Sequence, residues 1–244
     1  MPDLFYDLHV HSCLSPCGDA DMTPYNLVNM AALNDLQVIA LTDHNTCKNC
    51  PAAIQAGQEA GLLVLPGMEL TTSEEVHVVC LFADLAQALA FSDYVYDRLP
   101  TIENRPDIFG EQVIMDEADG VIGKLDKLLI NATDISVMEV MPLVERYGGF
   151  CYPAHVDKSA YSLISNLGGI PPECGFTAVE ISKNGDDRVM WQQYPEIRSM
   201  RRIHSSDAHY LEHIAEPIHK IESVREAAPA AVLEALRAMK QLDK

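Results

Sequence analysis

Short apolar runs alternate with stretches of helical periodicity along most of the chain, the pattern of strands joined by crossover helices. The first run, Leu4-Phe5-Tyr6-Asp7-Leu8-His9-Val10, predicts a strand over 4–10. Thr23-Pro24 offers an N-cap and a first-turn proline, and Leu27, Met30, Ala31 and Asn34 follow at helical spacing, predicting a helix over 24–35. Val38-Ile39-Ala40-Leu41 is a short buried strand. A second helix over 51–60 stops at Gly61, and Leu62-Leu63-Val64-Leu65 leads through Pro66-Gly67 to Met68-Glu69-Leu70. His77-Val78-Val79-Cys80-Leu81-Phe82 reads as the next strand, with its histidine before the apolar run instead of after it. That places His77 beside the other strand ends if this strand runs antiparallel or if the loop before it folds back.

The stretch 84–149 has no histidine and a different rhythm: a helix over 84–97, a hairpin around Asp119-Gly120, and a helix over 135–147 that ends at Gly148-Gly149. It reads as an insertion or cap over the site. Strands resume with Phe150-Cys151-Tyr152-Pro153-Ala154-His155, Thr177-Ala178-Val179-Glu180-Ile181-Ser182 and the run entering Asp207 and His209. A short strand over 218–223 and a helix from Pro229, with Val232, Leu233, Leu236 and Met239 on one face, close the chain. One α/β domain over 1–244 is the expected organisation.

Composition narrows the classes. No apolar run approaches a membrane span, and the N-terminus lacks a signal-peptide pattern, so a cytoplasmic protein is expected. Seven cysteines suit thiols or ligands better than a disulfide framework. The formal net charge of −19 argues against a nucleic-acid or anionic-membrane surface and fits a protein that holds cations.

The chemistry gathers at the strand ends. Alternation puts His9 and His11 on one face, roughly 6.6–6.8 Å apart along the strand, close enough to share a metal. Parallel strands bring His44 to the same edge. With Glu69, His77, His155, Asp207 and His209, these make six imidazoles and two carboxylates. Structural zinc sites close with four ligands, so this set points to a multinuclear catalytic centre.

Asp7-Leu8-His9-Val10-His11-Ser12, Thr42-Asp43-His44-Asn45, Gly67-Met68-Glu69, Pro153-Ala154-His155 and Ser206-Asp207-Ala208-His209 resemble the ordered motifs of the PHP (polymerase and histidinol phosphatase) superfamily. The resemblance implies a distorted seven-stranded β/α barrel, a trinuclear site at the carboxyl ends of the strands, and phosphoester hydrolysis. It implies that His9, His11, Glu69 and Asp207 hold one metal, that Glu69 bridges to a second held by His77 and His155, and that His44 and His209 serve a third. Two to three divalent ions are expected, zinc, manganese or iron. The family's further His or Asp after the first motif is replaced here by Pro16 or Cys17, so Cys17, or Asp19 from the loop, is the candidate substitute.

Cys13, Cys17, Cys47 and Cys50 fall in two adjacent loops and could form a second metal or redox site, with inert thiols as the plain alternative. Asp43 is read as orienting an imidazole ligand, and Lys158 is preferred over Arg105 and Lys183 as a phosphate-binding cation. The expected function is hydrolysis of a small phosphorylated molecule by a metal-activated hydroxide. A metal-dependent hydrolase of another bond and a non-catalytic metal or redox sensor are the alternatives. Oligomeric state is open.

Overall fold

The computed structural model describes residues 3–222 and 224–238. The expected alternation is present: β1 (Leu4–Val10), α1 (Pro24–Leu33), β2 (Val38–Leu41), α2 (Cys50–Ala60) and β3 (Leu63–Thr71), with β1, β2 and β3 mutually parallel. Thr23 caps α1 by accepting from the Asn26 amide, and Gly61 ends α2 in the left-handed conformation. β4 (His77–Leu81) returns antiparallel to β3 through a tight turn, pairing Thr71 with His77. The start of β4 therefore lies at the edge where β3 ends, and His77 reaches that edge although it precedes its own apolar run.

Then come α3 (Leu85–Asp97), the single turn α4 (Pro106–Phe109), the hairpin strands β5 (Val113–Met115) and β6 (Val121–Lys124), and α5 (Val137–Arg146), whose N-terminus carries a Ser136–Glu139 capping box. β7 (Phe150–Pro153) pairs antiparallel to β4, so it points the same way as β1 to β3. α6 (Leu163–Leu167), β8 (Ala178–Ser182), α7 (Asp187–Gln193), β9 (Arg201–Ser205), β10 (Lys220–Ile221) and α8 (Pro229–Ala238) complete the chain. Met239 and Ser223, expected in the last helix and strand, lie outside the described residues.

The fold is mixed α/β around a curled six-stranded half-barrel, in the order β10-β1-β2-β3-β4-β7. The expected seven-stranded ring is not one continuous ladder. β8 and β9 pair only with each other, yet they lie between β7 and β1: the Val156 amide donates to the Glu180 carbonyl, and the Leu8 amide to Ser205 Oγ.

The apolar residues separate into two layers. Leu4, Tyr6, Leu8, Val38, Ala40, Leu65, Val79, Leu81 and Tyr152 fill the inside of the curl, closed below by Val232, Leu233 and Leu236 of α8. Ile39, Leu41, Val64, Met68, Val78 and Cys80 face outward onto the helices. In β1 the alternation breaks: Leu8 belongs to the inner layer, but Val10 belongs to the outer one. The β1–β2 register shifts between Asp7 and Val10, an irregularity that turns His9 and His11 inward above the apolar plug. No helix among the described residues is long and apolar enough to cross a membrane.

Candidate metal centre

At the open end of the curl, Glu69 sits in the middle of the imidazoles. Its carboxylate lies 3.3 Å from His9 Nε2, 3.3 Å from His11 Nε2, 3.1 Å from His44 Nδ1, 2.8 Å from His77 Nδ1 and 3.1 Å from His155 Nε2. Asp207 Oδ1 lies 3.4 Å from His9 Nε2 and 3.2 Å from His11 Nε2. Three donor sets result, each with its ligand atoms within 4.8 Å of one another: His9, His11, Glu69 and Asp207; His44, Glu69 and His77; and His11, Cys17, His44 and His209. His155 joins through Glu69. All eight strand-end residues and Cys17 thus lie in one centre.

These residues fit divalent cations on three grounds. His44 Nδ1, both ring nitrogens of His77, His155 Nδ1 and Asp207 Oδ1 are buried without a partner in hydrogen-bond geometry, even where Glu69 or an imidazole lies at ion-pair distance, a cost that few folds carry without a ligand. The Glu180 carboxylate can only accept from His9 Nδ1, at 3.0 and 3.1 Å, so the neutral ring turns the Nε2 lone pair inward. Ser15 Oγ donates its proton to Asp43, so it accepts from His11 Nδ1 at 3.0 Å, and His11 Nε2 is also a lone pair. Two such lone pairs face each other across 3.1 Å, which repels unless a cation or proton lies beside them.

The electrostatics agree. Burial opposes charge on both His9 and His11, yet Glu180, Glu69 and Asp207 raise His9 well above its ordinary value, and Asp207 and Glu69 raise His11 to about 9. Burial likewise opposes ionisation of Glu69, but the surrounding histidines, led by His77 and His9, hold it well below the usual carboxylate range. Burial and the neighbouring His11 lower His209 to about 4. The centre is built to hold positive charge.

The backbone is strained where it places ligands. His155 (φ 27°), Asp207 (φ 53°) and Asn45 (φ 54°) are all non-glycine residues with positive φ. Asp7, at the base, accepts from the Ser206 and Ala215 amides and from Ser206 Oγ, clamping the loop that carries Asp207.

Asp43 does not touch an imidazole. It accepts from the Ser12 amide, Ser12 Oγ and Ser15 Oγ, and reaches His11 only through the Ser15 hydroxyl. The residue that holds an imidazole directly is Glu180, which the sequence reading did not single out. It also accepts from the His155 amide at 3.1 Å. The available signal was an ionisable residue inside the apolar run Ala178-Val179-Glu180-Ile181.

Lys158 pairs with Asp207 Oδ2 at the mouth of a cavity of about 450 Å³ that also contains Tyr161. Arg105 pairs with exposed Asp107, and Lys183 does not line this cavity. Asp19 uses its carboxylate to accept from the Asp21 amide and enters none of the donor sets. The four loop cysteines do not cluster at one site. Cys13 abuts Met115, while Cys47 and Cys50 are buried in the outer core layer. Only Cys17, partly exposed, faces the histidines, and burial together with nearby Glu69 and Asp207 raises its thiol.

Comparison with known proteins names this arrangement: residues 7–158 match the PHP domain. The chain belongs to the PHP domain family. Over 115 residues it is 31% identical to the 5'-3' exoribonuclease Rnm of Salmonella typhimurium, covering 45% of this chain and 38% of that protein. It therefore aligns with well under half the length of that relative. Among solved structures, the endonuclease PfuEndoQ of Pyrococcus furiosus superposes with a TM-score of 0.72 at 16% identity, over 98% of this chain and 57% of that one. A putative metal-dependent phosphoesterase of Bifidobacterium adolescentis gives 0.60 at 19% identity, over 97% of each chain. The family match agrees with the expected class, a metal-dependent hydrolase.

One expectation is overturned. A small phosphorylated substrate without a nucleic-acid surface conflicts with relatives that act on nucleic acids: the exoribonuclease, and Endonuclease Q bound to a 27-mer duplex with an abasic lesion at its active site (TM-score 0.70, 16% identity, 98% of this chain and 57% of that one). The physical error lay in reading whole-molecule charge as local field. A net charge of −19 limits broad phosphate tracking, but it does not set the potential inside a cavity that gathers cations.

Proposed function

We propose that this chain is a metal-dependent phosphodiesterase that cleaves nucleic acid, with single-stranded RNA as its first substrate. The observation that carries the reading is Glu69 at the centre of five imidazoles whose free nitrogens converge on it. Two to three divalent ions, zinc, manganese or iron, would be held by His9, His11, His44, Glu69, His77, His155, Asp207 and His209. Bound there, such ions supply an activated water and neutralise charge on the phosphoryl oxygens.

The remaining work falls to the chain. Glu180 fixes the His9 tautomer, and Asp43 acts as a positioning residue for His11 through Ser15. Lys158 presents its ammonium to a phosphoryl oxygen at the cavity mouth. Tyr161, 46% exposed and stacked on His77 with ring centroids 4.8 Å apart, offers a ring edge and face to a nucleotide base. The cavity suits one nucleotide at a strand end better than a duplex. In the same reading, β8 and β9 complete a seven-stranded ring, and 84–149 is an inserted cap.

The test is metal analysis of anaerobically purified protein alongside cleavage of end-labelled single-stranded RNA, single-stranded DNA and duplex DNA. Two to three metals per chain, with RNA cleavage abolished by a chelator and restored by zinc, manganese or iron, is the expected result. Metal-loaded protein that leaves all three polymers intact would overturn it.

A further inference from the structure

Cys17 stands where the histidine cluster opens toward solvent. Its sulfur and one nitrogen each of His11, His44 and His209 lie within 4.8 Å of one another. Around a tetrahedral cation with metal–nitrogen bonds of about 2.0–2.1 Å and a metal–sulfur bond of about 2.3 Å, donor atoms are separated by roughly 3.3–3.8 Å. The four donors thus need to close by no more than about 1.5 Å, within the reach of side-chain rotation.

Independent features say that these rings await a partner. His44 is 3% exposed, and its Nδ1, 3.1 Å from Glu69 Oε2, is in hydrogen-bond geometry with no partner. His209 spends Nδ1 on the Asp207 carbonyl at 2.8 Å, and His11 spends Nδ1 on Ser15, so each has Nε2 left for a ligand. The loop is built to bring the sulfur in. A Cβ on Gly18 would lie 2.2 Å from the Ser12 carbonyl oxygen, so only glycine permits this closure, and the Asp19 amide donates to the His209 carbonyl at 2.9 Å.

Resting on the metal-dependent reading above, we propose that Cys17 supplies a thiolate to a cation shared with His11, His44 and His209, so that the centre contains one imidazole–thiolate site beside its imidazole–carboxylate sites. Coordination replaces the S–H bond with a metal–sulfur bond, and the proton leaves to buffer. His11 Nε2 has one lone pair and serves this cation alone, so three imidazoles and a thiolate select zinc, cobalt or ferrous iron over manganese or magnesium, whereas the carboxylate-rich set of His9, Glu69 and Asp207 accepts harder ions. The centre is therefore heterogeneous in metal preference.

The experiment is anaerobic cobalt titration of chelator-stripped full-length chain, followed by absorption spectroscopy and bound-metal analysis, on wild type, Cys13→Ser, Cys17→Ser and Cys17→Asp. Wild type and Cys13→Ser should show a near-ultraviolet thiolate-to-cobalt charge-transfer band. Both Cys17 variants should lose it, with Cys17→Asp retaining the full complement of bound cobalt. Wild type offers a readout that needs no variant: zinc should block alkylation of Cys17 by iodoacetamide, read by peptide mass spectrometry. A band that persists in either Cys17 variant, wild type without the band, or alkylation indifferent to zinc would overturn the proposal. The two readings fail separately. A cobalt–thiolate band with no cleavage of any nucleic acid sinks the nuclease reading alone, and metal-dependent cleavage without the band sinks the thiolate alone.

Discussion

Glu180 illustrates how a single buried carboxylate can govern a centre it does not enter. It grips His9 Nδ1 with both oxygens and the His155 amide with one, so it sets the orientation of two ligands from one position on β8. Glu180→Gln keeps the shape but removes the charge and offers a donor where only an acceptor suits His9. Metal affinity, measured by competition with a chromogenic chelator, should fall about 10–100-fold. Lys158 belongs to a different class of effect, because it faces the cavity and not the core. Lys158→Ala should lower kcat/KM on RNA by about 10–100-fold, corresponding to one charge-assisted contact of roughly 1.5–3 kcal/mol, with metal content unchanged. The candidate ligands were legible in the sequence because metal chemistry demands specific residue types, and His, Asp and Glu at strand ends are visible without coordinates. Glu180 was not, because its identity as a support depends on which strand lies beside β1, and 171 residues separate it from His9.

At the scale of elements, the placement of His9, His11 and His77 depends on two departures from regular structure. The β1 irregularity converts a strand whose inner face is Leu4, Tyr6 and Leu8 into one whose inner face is His9 and His11. Simple alternation correctly puts the two histidines together but places them on the face opposite Leu8, and only the irregularity brings them round to the inner side. The antiparallel β4 decides His77, which sequence order left with two routes to the site. The loop between β1 and α1 is the third such element, and its test is Gly18→Ala. The added methyl must displace the Ser12 carbonyl or move Cys17 away. About 1–3 kcal/mol of stability should be lost, read as a lower Tm, together with the cobalt–thiolate band.

For the whole molecule, the unpaired donors make stability depend on cations. A ligand at about 100 times its Kd stabilises the folded state by roughly 2.7 kcal/mol, which for a chain of this length corresponds to about 5–11 °C in Tm. Chelation should lower Tm by that order, and adding back zinc should restore it. A calorimetric scan indifferent to chelator would mean that the buried nitrogens are satisfied some other way. The net charge of −19 makes a second prediction. With few surface cations to track a backbone, RNA should be engaged through about one or two phosphates, so log kcat/KM should fall with log salt at a slope near −1, not the steep slope of a basic nuclease.

Residue types and local patterning, both carried in the sequence, determined the strand–helix alternation, the caps, the apolar layers, the family resemblance and the identity of the candidate ligands. These follow from short-range physics: periodicity selects the secondary structure, and only a few side chains bind metals. Tertiary structure alone decided that β8 and β9 stand apart from the six-stranded ladder and that Glu180, not Asp43, holds an imidazole. It also decided that Cys17 faces the histidines while Cys47 and Cys50 face the core. Each of those outcomes depends on which distant segments become neighbours, and burial, pairing and local field exist only once the chain has closed on itself.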